Sequence, residues 1–208
     1  MKNNIINQTG RSMIEMLGVL AIVGVLSVGG IAGYSKAMQK YRTNKTIEQI
    51  TQIANGVRTL YSGQKNYDGI STEYSGPIRK AKILPESAWE STASGAEPKN
   101  PFGGTYSIRS EDKSTAGDHK AFGIYLGSVP DDACIEILTQ DWGGASSGLI
   151  AVGVSSGIYR VLYGCTGYDG DSGSKVACAD KLPLSIDDAM DLCEIMDGSA
   201  VGPVLKFY

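Results

Sequence analysis

The sequence predicts an α+β protein in which one long amino-terminal helix precedes a domain of short strands and helices. Residues 16–35 carry no formal charge, and no proline occurs before Pro77, so one helix can extend well past the apolar run. Beyond Asn100, β-branched and aromatic segments alternate with turn-forming Gly, Pro, Asn and Ser residues, a pattern typical of strands. Because helix and strand patterns occupy separate parts of the chain, the α+β class is favoured.

The amino terminus combines a polar leader with a run long enough to cross a membrane. Residues 1–10 (MKNNIINQTG) carry one basic side chain, Lys2, and the uncharged run covers twenty positions, residues 16–35. Twenty residues of helix rise about 30 Å, which matches the hydrocarbon layer of a bilayer. We therefore expect residues 11–35 to form the transmembrane half of a helix that continues to residue 62.

Glu15 is the acidic residue at the head of this apolar run. An ionised carboxylate at the centre of a bilayer costs about 2.5–3.5 kcal/mol on insertion scales, so an acid at this edge is expected to have a partner or a function. The alternative interpretation places Glu15 among the lipid headgroups, at the end of an ordinary signal anchor.

Residues 36–62 continue the helix with an amphipathic pattern. Apolar side chains recur at intervals of three and four residues and therefore share one face: Ile47, Ile50, Ala54, Val57 and Tyr61. This face is expected to lie on a sheet, because most of the stability of such a helix comes from burial of its apolar face.

The remaining residues, 63–208, are expected to form a globular head. A connecting region rich in Gly, Ser and Pro runs to residue 100 with one helical turn near 86–90, and residues 100–104 (NPFGG) form a strong turn. Strands are predicted at 105–109, 121–126, 149–154 and 158–163, and an edge strand at 201–208.

Two short helices are predicted in the head, and each carries a cysteine. Pro130, followed by two acids, begins the first helix, which contains Cys134. Ser185 and Asp188 have the spacing of a capping box, which begins a second helix that runs to about residue 196 and contains Cys193.

All four cysteines, namely Cys134, Cys165, Cys178 and Cys193, lie in the last 75 residues. They form no Cys-x-x-Cys pair, and His119 is not at ligand spacing from any of them, which argues against zinc or thiol-redox chemistry. An even number behind a membrane anchor favours structural disulfides in an oxidising compartment. Three connectivities are possible, and the alternative is that some cysteines are reduced and buried.

Charge and motifs exclude several classes of function. The net charge is −3, so nothing in the overall charge balance argues for a nucleic-acid partner. The sequence contains no phosphate-binding glycine loop, zinc ligand set or nucleophile elbow, and we therefore predict no enzyme activity and no cofactor. A membrane-anchored extracytoplasmic binding domain or enzyme remains an alternative of a different class.

The leader and apolar run resemble the class III signal of type IV prepilins. The matching features are Gly10, then Glu15 as the fifth residue after it, then MLGVLAIVGVLSVGGIAGY, and the resemblance covers about residues 10–61. It implies that a prepilin peptidase cuts between Gly10 and Arg11 and leaves 208 − 10 = 198 residues. The family usually has Phe or Met after the cut, where this chain has Arg11.

The resemblance is nearest to type IVb pilins and implies both a fold and a function. The fold is a helical spine on an antiparallel sheet, with a disulfide that staples the carboxy-terminal region to the head. By resemblance this disulfide is Cys134–Cys193, and Cys165–Cys178 would then close a smaller loop. The protein would be a subunit of a helical filament, in which the new amino group of Arg11 pairs with Glu15 of a neighbour.

The resemblance also implies partners and a location. The expected partners are copies of the same chain, the prepilin peptidase, and a pilus assembly platform with its ATPase. Before assembly the protein would lie in the bacterial inner membrane with its head in the periplasm, and afterwards in an extracellular pilus. A minor pilin, or a pseudopilin of a type II secretion system, is the alternative within this class.

Overall fold

The computed structural model describes residues 13–73, 76–92, 95–113, 117–143, 147–155, 174–178, 182–194 and 202–208. The chain divides into two compact units, and the division falls between Tyr41 and Arg42. The described part of the first unit is entirely helical, whereas the second unit contains every strand that the structure describes.

Helix α1 spans Met13–Tyr61, which agrees with the predicted helix over the described residues, and its carboxyl end lies one residue before the predicted one. Residues 11 and 12, where the predicted helix begins, lie outside the described residues. Within the second unit, one face of α1 is buried, and the predicted stripe lies on that face. Ile50, Ala54 and Val57 belong to the hydrophobic core, and Ile47 and Tyr61 pack against it. The period-3.6 pattern therefore identified the buried face correctly.

Among its described residues, the head contains three further short helices and one 3₁₀ turn. These are α2 (Pro77–Lys80), the 3₁₀ turn Glu86–Ala88, α3 (Asp131–Thr139) and α4 (Ile186–Glu194). Ser185 caps α4 as predicted: its hydroxyl accepts a hydrogen bond from the Asp188 amide (3.2 Å), which is one half of a capping box, and it donates to the Asp188 carboxylate (2.6 Å).

Seven strands in the described part of the chain form two antiparallel sheets. The small sheet pairs β1 (Trp89–Thr92) with β2 (Gly95–Pro98). The main sheet has the order β3-β4-β7-β5-β6 and consists of β3 (Tyr106–Glu111), β4 (Ala121–Leu126), β5 (Leu149–Ser155), β6 (Ser174–Cys178) and β7 (Gly202–Phe207).

The structure corrects one strand prediction and adds three strands that were not predicted. Strand β7 is a central strand between β4 and β5, not an edge strand, and all six of its residues are buried. The connecting region contains the β1–β2 hairpin, which was not predicted, and β6 was not predicted either. The strand predicted at 158–163 lies outside the described residues.

The main sheet packs its core face against the second-unit part of α1. Buried residues from both elements form a single cluster that includes Ile53, Val57, Phe122, Ile124 and Leu205. A polar contact also crosses this interface: the Tyr106 hydroxyl donates to Gln49 Oε1 at 2.9 Å, and both residues are buried. Burial raises the pKa of Tyr106, so the phenol stays protonated and remains a donor.

The predicted turn at residues 100–104 is built around the side chain of Asn100. Its Oδ1 accepts hydrogen bonds from the Phe102 amide (2.9 Å) and the Gly104 amide (3.2 Å). Its Nδ2 donates to the Gly127 carbonyl oxygen at 2.7 Å, which fixes the turn to the end of β4. Gly104 lies so close to that carbonyl that an added Cβ would be 1.7 Å from the oxygen.

Substitution of Gly104 by alanine is expected to destabilise the head by about 3 kcal/mol, because backbone atoms must move to relieve the clash. Thermal unfolding of the full chain in detergent micelles measures the effect. Gly63→Ala is the matched control, since a Cβ at Gly63 meets no atom within 4 Å. Equal unfolding temperatures for the two variants would show that the turn tolerates displacement from Gly127.

Candidate assembly site and stapled carboxy-terminal region

Glu15 lies in the first turn of α1 and is exposed. The apolar residues on either side of it in the sequence are exposed as well, including Met13 (86 %) and Ile14 (79 %). Gly10 and Arg11 lie outside the described residues, so the cleavage position and the pairing of Arg11 with Glu15 stay predictions. Acids near a helix amino terminus interact favourably with the helix dipole, which suits the position of Glu15.

The first half of α1 presents apolar side chains on all sides. Its most apolar 18-residue window has a mean hydropathy of 2.2, and none of that window is buried. By length and composition, α1 is the one helix in the described part of the chain that could cross a membrane. An apolar surface of this extent requires cover from lipid or from protein.

The two serine hydroxyls of this helical segment have acceptors within the helix. The Ser27 hydroxyl donates to the Val23 carbonyl at 2.7 Å, and the Ser35 hydroxyl donates to the Ile31 carbonyl at 3.0 Å. Because these hydroxyls already have acceptors, their burial among lipid tails or neighbouring helices costs less than burial of free hydroxyls. Five glycines in the segment, at positions 18, 24, 29, 30 and 33, have open space at the Cβ position.

The disulfide Cys134–Cys193 joins α3 to α4, and it confirms the pairing that the family resemblance implied. The two Cα atoms are 6.1 Å apart, and both residues are buried. Helix α3 also contacts β7, so the bond ties the carboxy-terminal part of the chain to the core. Cys165 lies outside the described residues, and the Cys165–Cys178 pairing therefore stays a prediction.

A cleft of about 260 Å³ lies within the head between α1 and the residues that follow α3. Arg58 lines this cleft and is held there by two contacts. Its Nε donates to the Tyr208 carbonyl oxygen at 3.0 Å, and its guanidinium lies 5.2 Å from the centre of the Phe207 ring. Trp142 forms part of the wall, and its indole N–H donates to the Ile137 carbonyl oxygen at 3.0 Å.

The sheet face opposite α1 carries a buried polar cluster that the sequence did not indicate. The Tyr125 hydroxyl donates to Glu111 Oε1, and both side chains lie over Gly123, where a Cβ would be 2.8 Å from the Tyr125 ring. Burial raises the pKa of Glu111 and lowers the pKa of Lys206, a buried base on β7. The strand register brings these residues together, and no local motif encodes it.

Within the described ranges, no group of three or more His, Cys, Asp or Glu side chains is placed to hold a metal ion. His119 lies in the loop between β3 and β4, and its ring contacts the carboxylate of Asp68, a contact that the sequence did not indicate. The sites that the described residues contain are therefore an exposed apolar helix, a disulfide staple and several polar contacts.

Comparison with known families and proteins gives one consistent result. The PilS N-terminal family matches residues 40–161. The major structural subunit of bundle-forming pilus from Escherichia coli O111:H- is 26% identical over 151 residues, which cover 72% of each chain. Toxin coregulated pilin from Vibrio cholerae is 27% identical over 139 residues, which cover 64% of this chain and 58% of that protein.

Two solved structures share the fold. The type IVb pilin from Salmonella typhi superposes with a TM-score of 0.53 at 16% identity, covering 79% of this chain and 97% of that chain. TcpA, a type IV pilin from the El Tor biotype of Vibrio cholerae, superposes with a TM-score of 0.51 at 17% identity, covering 80% and 98%. The long helix and antiparallel sheet described above are thus an arrangement found in type IV pilins.

Proposed function

This chain belongs to the PilS N-terminal family, and we propose that it is a structural subunit of a type IV pilus. The observation that carries the proposal is the family match, which covers residues 40–161, together with relatives named as pilus subunits. The fold agrees with this function, and so does the apolar surface of α1, which needs neighbouring helices or lipid. Structural pilins are not enzymes, and the function requires no catalytic residue.

The proposed maturation step is cleavage between Gly10 and Arg11 by a prepilin peptidase. The spacing of Gly10 and Glu15 and the apolar run that follows support this position. Cleavage would create a positively charged amino group on Arg11, four residues before the carboxylate of Glu15. The inner membrane would hold the chain at this stage, because the first half of α1 is long and apolar enough to span it.

The proposed assembly contact pairs the new amino group of Arg11 in one subunit with Glu15 of its neighbour. Each charge alone is costly in an apolar filament core, whereas a pair of opposite charges fixes the axial register of the two helices. The two surfaces in this contact differ, so the contact is heterologous and can repeat along an open helical polymer. An assembly platform in the membrane and its ATPase would supply the subunits.

The major subunit is favoured over a minor pilin or a pseudopilin. Two relatives carry the description "major structural subunit of bundle-forming pilus", and these matches cover 72% and 68% of this chain. Filaments sheared from cells test the assignment by mass spectrometry. The chain is expected to be the principal protein of these filaments, and its deletion should remove them until the gene is restored. Filaments of unchanged number in the deletion strain would contradict the role of major subunit.

A further inference from the structure

His119 joins two segments of the head that are distant in the sequence. It is the only histidine of the chain, and it lies in the loop between β3 and β4 with a left-handed backbone (φ 47°). Its carbonyl oxygen accepts a hydrogen bond from the Tyr67 amide at 2.8 Å, and its ring Nδ1 contacts the carboxylate of Asp68. Tyr67 and Asp68 belong to the turn that follows α1, so both the backbone and the side chain of His119 hold that turn.

A second carboxylate lies near the other ring nitrogen of His119. Asp112, which is buried at the end of β3, has its Oδ1 3.9 Å from His119 Nε2. The same carboxylate accepts hydrogen bonds from the His119 amide (3.0 Å) and the Gly117 amide (2.9 Å), which fix its orientation. A neutral imidazole carries one N–H, whereas the protonated ring carries two and a positive charge, so only the protonated ring suits both acids.

The other titratable groups near His119 do not replace Asp68 or Asp112 as the partners of its ring. Asp118, next to His119 in the loop, accepts hydrogen bonds from the Lys113 amide (2.7 Å) and the Lys120 amide (3.1 Å). Lys206, on β7, interacts electrostatically with Asp112 and Asp118. On the α1 side, the phenol of Tyr61 is close enough to Asp68 for the carboxylate to raise its pKa, after the larger effect of burial.

We propose that His119 is a pH-sensitive clamp: its protonated imidazole holds the turn after α1 against the β3–β4 loop, and its neutral imidazole loosens that contact. The clamp is a property of the head and does not depend on the proposed function. The two ring nitrogens of His119 face the carboxylates of Asp68 and Asp112, which come from different segments of the chain. The observed pairing therefore couples the connecting region to the main sheet.

The direction of the pH effect follows from the two pKa shifts. The hydrogen bond with Asp68 raises the pKa of His119, so the stabilisation is complete below about pH 6.5 and is lost as the pH rises through the folded-state pKa. Burial alone would raise the pKa of Asp112, but the Gly117 and His119 amides and the charge of His119 hold it below its ordinary value. The stabilisation that the Asp112 carboxylate contributes is present above about pH 4 and is lost as the pH falls through the folded-state pKa of Asp112. The clamp is thus strongest between about pH 4 and pH 6.5.

Proton NMR of the full chain in detergent micelles tests the proposal directly, because the single histidine gives one unambiguous Hε1 signal. The Hε1 titration is expected to have its midpoint above the ordinary histidine value of about 6.5. Asp68→Asn should shift that midpoint downward, whereas Asp131→Asn, a change to an acid in the first turn of α3, should leave it in place. A midpoint at or below the ordinary value, or one that Asp68→Asn does not move, would overturn the proposal.

A second measurement separates the charge of the ring from its structural role. His119→Asn keeps a residue that tolerates the left-handed backbone and removes the titrating ring. Between pH 5.5 and pH 8.0 the unfolding temperature of the unsubstituted chain should fall more than that of His119→Asn, and the amide of Tyr67 should lose protection relative to its intrinsic exchange rate. Identical pH dependence in the two proteins would contradict the clamp.

Discussion

Glu15→Ala is expected to abolish filament assembly while the protein still inserts into the membrane. Alanine removes the carboxylate that we propose as the partner of the Arg11 amino group and leaves that charge unpaired in an apolar core. Removal of one member of a buried ion pair costs about 3–5 kcal/mol, which corresponds to a loss of about a hundredfold or more in association. Insertion should be unaffected, because the substitution makes the start of the apolar run more apolar. Immunoblots of sheared filaments and of membrane fractions measure the two quantities separately.

Glu48→Ala is the matched control for this experiment, because Glu48 is an acid on the same helix in an ordinary surface position. Its carboxylate lies 2.8 Å from Lys45 Nζ, and its side chain is 54% exposed. Exposed pairs of this kind contribute about 0–1 kcal/mol, so filament yield should remain close to that of the unsubstituted chain. A normal yield from Glu15→Ala would eliminate the charge-pairing mechanism and favour an acid that serves only at the membrane interface.

Loss of the Cys134–Cys193 disulfide is expected to produce the second large effect, a destabilisation of the head. The bond closes a loop with a sequence separation of 59, and the chain-entropy relation assigns such a loop about 4 kcal/mol. The double substitution Cys134→Ser and Cys193→Ser removes this constraint from the unfolded chain. It also puts two hydroxyls into a buried site. Thermal and denaturant unfolding of the full chain in detergent micelles under non-reducing conditions measure the change.

The remaining cysteines provide the comparison. The double substitution Cys165→Ser and Cys178→Ser retains the bond between α3 and α4, and it removes a predicted bond that closes a much shorter loop. Its effect on the unfolding temperature should therefore be the smaller of the two. An unfolding temperature for Cys134→Ser/Cys193→Ser equal to that of the unsubstituted chain would show that packing alone holds α4 on the head.

Local patterns in the sequence predicted the elements whose hydrogen bonds are local. The helix over 13–61 followed from the absence of proline and charge and then from the stripe of Ile50, Ala54 and Val57, which is buried as expected. The turn at residues 100–104 followed from its Asn, Pro and Gly residues, and the start of α4 from Ser185 and Asp188. In each case the hydrogen bonds that define the helix, the turn or the cap join residues only a few positions apart along the chain.

The features that the sequence did not reveal depend on contacts between distant segments. Strand β7 is central because it pairs with β4 and β5, which lie far from it in the chain. The apolar pattern of its residues alone does not distinguish a central strand from an edge strand. Nothing local to His119 indicates Asp68, which is 51 positions away. The Glu111–Tyr125 contact likewise needs the register of β3 on β4 before it can be recognised.

Intact mass and amino-terminal sequencing of the protein from membranes, with and without the prepilin peptidase, test the central claim most directly. The account predicts a chain that begins at Arg11 when the peptidase is present and at Met1 when it is absent. The cleaved form would contain 208 − 10 = 198 residues. A chain that begins at Met1 in both samples would contradict processing through the pilin pathway and would leave a head anchored by an uncut helix.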